Sequence, residues 1–124
     1  MNFTQTDLAT QINDLAAAEL NRLEFGVIGF DSDTVVQVYN SFESDASGMS
    51  PERVVGQRVF TIVAPCMNNF MVAQRFEDAA AQGVALDMVI DYVLTFRMRP
   101  VKVQLRLVAA LGMTTRYIFI NRLV

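Results

Sequence analysis

Cys66, in the run Val63-Ala64-Pro65-Cys66-Met67-Asn68-Asn69, is the chain's single thiol. A thiolate attacks activated acyl groups, and it forms more readily beside positive charge or a helix N-terminus. Asn68 and Asn69 suit the cap of a following helix, which would place Cys66 just ahead of that partial positive charge. Upstream, Tyr39 closes an apolar run and Glu43 follows Phe42 in a broken helical segment. A buried carboxyl keeps its proton because burial disfavours the charged form, and can then donate a hydrogen bond. Each residue also has a plain reading. Free cysteine is among the most buried residue types. A strand-end tyrosine commonly packs half-buried, a glutamate in such a segment is commonly solvated, and Ser47 suits a turn. The seven methionines read mostly as core filler.

Absences narrow the chemistry further. The chain has no histidine, so Ser-His and Cys-His pairs and His-bearing zinc sites are excluded. One cysteine allows no internal disulfide and no cysteine-rich metal cluster. We expect neither an enzyme nor a metal site. A net charge of -3 without a Lys/Arg cluster argues against nucleic acid as a partner. No apolar run approaches the roughly 18 residues that span a bilayer, so no membrane association is expected. Met1 to Leu20 contains Asp7 and Asp14 and lacks the basic start and apolar core of a secretory signal, so a cytoplasmic location is expected. The 124 residues fit one domain, and 52% apolar with 19% charged residues indicates a globular chain.

The elements that must position these side chains can be read from periodicity. Leu8, Ile12, Leu15 and Ala16 recur at helical spacing, so 7–20 reads as an N-terminal helix or helix pair. Phe25 to Phe30 and Val35 to Tyr39 flank the turn Asp31-Ser32-Asp33-Thr34 as a β-hairpin. Residues 40–57 break into short pieces. Among them Ser50 to Gly56 reads as a one-turn helix, with Ser50 as cap, Pro51 at its first position and Gly56 as its end. Phe70 to Gln82 reads as a helix with Phe70, Ala73, Phe76 and Ala80 near one face and Gly83 as its stop. Met88 to Met98 alternates unevenly, Val101 to Leu107 alternates cleanly, and Tyr117 to Ile120 closes after the turn at Gly112 to Thr115. Together they predict an α+β domain. It would be a five-stranded antiparallel sheet flanked by helices packed on one face, with a short N-terminal helical cap over 1–24 and a core over 25–124.

This order of elements resembles that of PAS domains, and Gly48 to Gly56 resembles their polar-Pro-Glu helix ending at a glycine. Sharper likenesses point to one family. Val63-Ala64-Pro65-Cys66 resembles the chromophore-attachment segment of photoactive yellow proteins. Tyr39-Asn40 with Glu43 and Asp45 resembles their phenolate-binding segment, at a matching distance from the cysteine. Tyr117 to Arg122 resembles their last strand. The likeness runs from about Phe25 to the C-terminus, with one extra residue between Gly83 and Met88, and is loose over the first twenty residues.

The resemblance implies a blue-light photoreceptor in which Cys66 carries 4-hydroxycinnamic acid (p-coumaric acid) as a thioester. It implies that Tyr39 and a neutral Glu43 hydrogen-bond the phenolate oxygen, that Ser47 replaces a threonine supporting the Tyr39 hydroxyl, and that Met98 aids thermal return to the dark state. Met49, Phe96 and Val59 stand where the best-known members have Arg, Tyr and Phe, departures that bear on colour, recovery rate and shielding of the pocket. Light would isomerise the double bond, Glu43 would pass its proton to the phenolate, and the stranded carboxylate would loosen the fold, first at residues 1–25. A downstream signalling protein would read the change, and the chain itself is expected to be a monomer or weak dimer. The competing readings are a chromophore-free PAS-type ligand-binding or interaction module and a small enzyme acting through Cys66. The second lacks the usual activating base.

Overall fold

Along Leu86–Leu94 exposure alternates residue by residue until Leu94, which is buried, and this strand forms one edge of a sheet. The computed structural model describes residues 1–95 and 99–122. Its elements, in chain order, are α1 (Leu8–Asn13), α2 (Ala17–Leu20), β1 (Gly26–Phe30), β2 (Val36–Tyr39), α3 (Ser41–Ser47) and α4 (Pro51–Val54). A wide helical turn at Val59–Val63 and a tight one at Pro65–Met67 follow. Then come α5 (Ala73–Gln82), β3 (Leu86–Leu94), β4 (Val101–Ala109) and β5 (Arg116–Arg122). The five strands pair antiparallel in the order β2-β1-β5-β4-β3, as the α+β reading anticipates.

Both faces of the sheet are covered except at the β3 edge, whereas the sequence predicts helices on one face only. Ile28, Phe30, Leu105, Leu107, Ile118 and Ile120 pack with residues of α4, α5 and the two turns. On the opposite face Val27, Val108, Tyr117 and Phe119 pack with Phe3, Leu8, Ala9 and Ile12 of the N-terminal segment. Two-sided burial explains why β1 is buried throughout rather than alternating. The N-terminal segment is held by more than apolar contact. Arg106, buried within β4, donates to the carbonyls of Phe3 (3.0 Å) and Gln5 (2.7 Å) and forms a two-pronged pair with Asp87 of β3.

Three local readings are corrected. Helix α5 begins at Ala73, not Phe70, and Phe70 is 77% exposed. The Asn69 side chain accepts from the Met71 and Val72 N–H groups, and this local turn replaces the first helical turn. Strand β3 starts at Leu86, before Met88, and its exposure alternates although its hydropathy does not, because Val89 and Val93 lie on the open face. Ser50 occupies the cap position of α4 without a side-chain capping bond, and that helix ends at Val54, ahead of Gly56. Gly83 ends α5 as expected, in the left-handed conformation.

Candidate functional site

The side chain of Tyr39 reaches the core layer through an irregularity in β2. Val36 pairs with Phe30 and Tyr39 with Ile28, so Gln37 is an extra residue opposite β1. A bulge shifts side-chain parity by one, and both Val36 and Tyr39 therefore face the layer that contains Val59, Val63 and Ala64. Cys66 and Met49 pack against that same layer. The Tyr39 hydroxyl shares a 2.6 Å hydrogen bond with Ser47 Oγ, which also accepts from the Met49 N–H at 3.2 Å. Burial pushes the Tyr39 phenol up to about 12; the Ser47 bond opposes this, the nearby Glu43 charge adds to it and Arg122 opposes it.

Glu43 lies in the first turn of α3 and is fully buried. Asn40 caps that helix, its Oδ1 accepting from the Glu43 N–H at 3.2 Å and from the Val27 N–H at 2.9 Å. The carboxylate oxygens accept from both terminal nitrogens of Arg122, at 2.6 and 2.9 Å. Burial raises the proton affinity of Glu43, and the Arg122 guanidinium lowers it in part. Gly26 makes this packing possible, since a Cβ there would stand 2.1 Å from Glu43 Oε1.

Cys66 sits half-buried in the tight turn at Pro65–Met67, with Ala73 and the start of α5 well beyond it. Asn69 does not cap the helix as expected: it accepts from N–H groups of the intervening turn, so Cys66 does not stand at the N-terminus of α5. The carbonyl of Cys66 accepts from the Tyr92 hydroxyl and from Asn69 Nδ2, so β3 pins the backbone that carries the thiol. A cavity of about 710 Å³ opens beside this point, lined in part by Asn69, Met71, Tyr92 and Val103. It does not reach Tyr39 or Glu43.

The structure thus brings Tyr39, Ser47, Met49 and Cys66 to one layer and buries Glu43 beside it, while Phe96 and Met98 lie outside the described residues. Sequence reasoning assigned no role to Arg122, Tyr92 or Asn40. The available signals were a lone arginine ending an apolar strand, a tyrosine within the aliphatic run of β3, and an asparagine directly before a helix.

No protein-family model matches the chain. Among curated proteins it is similar to the photoactive yellow protein of Rhodothalassium salexigens, 30% identical over 98% of this chain and 97% of that protein. It is also 32% identical to the photoactive yellow protein of Halochromatium salexigens, over 99% of this chain and 98% of that protein. The chain belongs to the photoactive yellow protein family. Among solved structures, the photoactive yellow protein domain of the sensor histidine kinase Ppr from Rhodospirillum centenum superposes with a TM-score of 0.85 at 38% identity. It covers 93% of this chain and 100% of that domain. The fold is therefore the PAS fold, and this member of the photoactive yellow protein family is a PAS-type photoreceptor, a sensory module whose family implies a chromophore. Among the described residues no helix is long and apolar enough to cross a membrane.

Proposed function

We propose that the chain is a blue-light receptor whose chromophore is 4-hydroxycinnamic acid held as a thioester by Cys66. The observation that carries this reading is a buried phenol and a buried carboxyl, both with raised proton affinity, set on β2 and α3 beside the core layer against which the single thiol packs. That donor set fits the group: one thiol to acylate, and a phenol and a carboxyl of raised proton affinity to face an anionic oxygen. Acylation replaces the Cys66 Sγ–H bond with an Sγ–acyl bond, and the proton departs with the leaving group of the activated acid. Once bound, the group supplies an isomerisable double bond and an ionisable phenol oxygen.

The chain's own residues do the rest. Tyr39 Oη and a protonated Glu43 Oε donate to the anionic oxygen. Ser47 orients Tyr39 through the 2.6 Å bond, and Met49 packs against the same layer. Tyr92 and Asn69 hold the Cys66 carbonyl, so the attachment point stays fixed while the far end of the pocket rearranges. Release of the Glu43 proton leaves a carboxylate in a fully buried position, and buried charge is costly on the scale of a small domain's stability of about 5–15 kcal/mol. The stored cost loosens the cap, residues 1–24, from the core, residues 25–124, and the loosening is the signal. A downstream signalling protein reads it; the sensor histidine kinase context of the Rhodospirillum centenum domain is one form such a partner takes.

The reading is tested by an absorption spectrum of the purified protein after incubation with activated 4-hydroxycinnamic acid, with Cys66→Ala as control. A visible band that bleaches in blue light and recovers, in the wild type alone, is expected. A colourless wild type, or the same band in the control, would overturn it.

A further inference from the structure

The carboxyl of Glu43 has a partner that the proton-donor role does not use. Arg122 ends the described part of β5, and its two terminal nitrogens meet the two carboxylate oxygens at 2.6 and 2.9 Å. This fork-to-fork geometry is specific to a guanidinium facing a carboxylate, and it is strongest where water is excluded. Water is largely excluded here: the Glu43 side chain is 0% exposed and that of Arg122 15%. The lane between them is built by the fold. Gly26 faces it from β1 and offers no side chain, where any Cβ would collide with Oε1. Tyr39, the other titratable group near Glu43, is turned to Ser47 instead. The carboxyl is seated on β5 while the phenol is seated on α3.

We propose that Arg122 is the counter-charge that receives Glu43 whenever its carboxyl gives up its proton. The inference rests on Glu43 being the proton donor of the site and deepens that reading. In the transfer, the Oε–H bond of Glu43 breaks and the proton passes to the phenolate oxygen. No electron leaves, and the negative charge moves from that oxygen to the carboxylate. There it meets a guanidinium already charged and already within the layer, so the transfer changes the position of the charge and not the net charge of the site. An isolated carboxylate in this position would be reprotonated or drawn to water; paired with Arg122 it persists. Arg122 is thus a positioning residue acting through Glu43. It limits how much of the transferred charge is converted into loosening of the fold, and it sets how long the deprotonated state lasts.

The test uses the full chain without chromophore, so it stands whether or not Cys66 is acylated. The protonated carboxyl band of Glu43, identified in the infrared by its loss in Glu43→Gln, is titrated in wild type, Arg122→Lys and Arg122→Leu. The band is expected to persist to higher pH in Arg122→Leu than in wild type, with Arg122→Lys between them. Coincident titrations in all three would overturn the proposal. A second readout needs no change at position 122: the guanidinium nitrogen resonances of Arg122 should follow the Glu43 titration in wild type and lose that response in Glu43→Gln. Resonances indifferent to Glu43→Gln would equally overturn it. Failure of the protein to take up a chromophore would leave both results standing and count against the attachment reading alone.

Discussion

Asn40 and Leu20 are joined by a hydrogen bond of 3.1 Å from the asparagine Nδ2 to the leucine carbonyl. The same Nδ2 donates to the Phe25 carbonyl at 3.0 Å, while Oδ1 accepts from Val27 and Glu43. One buried side chain therefore links α2, β1 and the helix bearing Glu43. Asn40→Ala should cost at least about 2 kcal/mol, from the lost cap and the orphaned buried backbone groups. Asn40→Ser, which restores the cap but not the two donor bonds, should recover part of it. Urea unfolding of the three proteins checks this, and an unchanged midpoint for Asn40→Ala would remove Asn40 as a structural link.

Arg106 fastens the N-terminal segment to the opposite face of the sheet through the carbonyls of Phe3 and Gln5. Arg106→Met keeps much of the apolar stem and removes the donors. It should destabilise the protein by about 1.5–3 kcal/mol, the range for bonds to a charged group, with the exposed Asp87 contributing least. Amide exchange should accelerate around α1 before it does in β4 and β5. Uniform acceleration throughout would show that the segment is no separable latch.

Tyr39 and Tyr117 both hold their phenol protons to about 12 against an ordinary 10.0, chiefly through burial. A raised folded-state value means that their contribution to stability is fully present below pH 10 and is lost as pH rises through about 12. Ser47 favours the ionised form of Tyr39, so Ser47→Ala should delay Tyr39 ionisation further, and Ser47→Thr should restore it. Ultraviolet titration of tyrosinate, with Tyr39→Phe to assign the signal, reads the effect. Earlier ionisation in Ser47→Ala would contradict the geometry.

Gly26→Ala places a methyl group 2.1 Å from Glu43 Oε1. Overpacking of this kind costs about 1–3 kcal/mol, and the displaced carboxylate should also lose Arg122. In a Glu43→Ala background the methyl group meets no carboxylate, so the two changes should be strongly non-additive. Additive unfolding free energies would mean that Glu43 moves aside freely.

The amino-acid sequence by itself determined the α+β order of elements, through hydrophobic periodicity and through punctuation such as Pro51, Gly83 and Gly112. It also determined the chemical inventory: one thiol, no imidazole, and a Tyr39–Glu43 pair in a segment resembling a known phenolate site. These are properties of composition and local spacing, and they survive without knowledge of neighbours. Tertiary structure alone decided the rest. Hydropathy could not show that Val89 and Val93 face outward, because open edge strands tolerate apolar residues. It could not show the extra residue at Gln37 that turns Tyr39 inward, since a bulge exists only relative to a partner strand. The pairings of Glu43 with Arg122, of Arg106 with Phe3 and Gln5, and of Tyr92 with the Cys66 carbonyl join positions far apart in the chain. Nothing in local sequence encodes such contacts, because their geometry is fixed only once the five strands have closed in register.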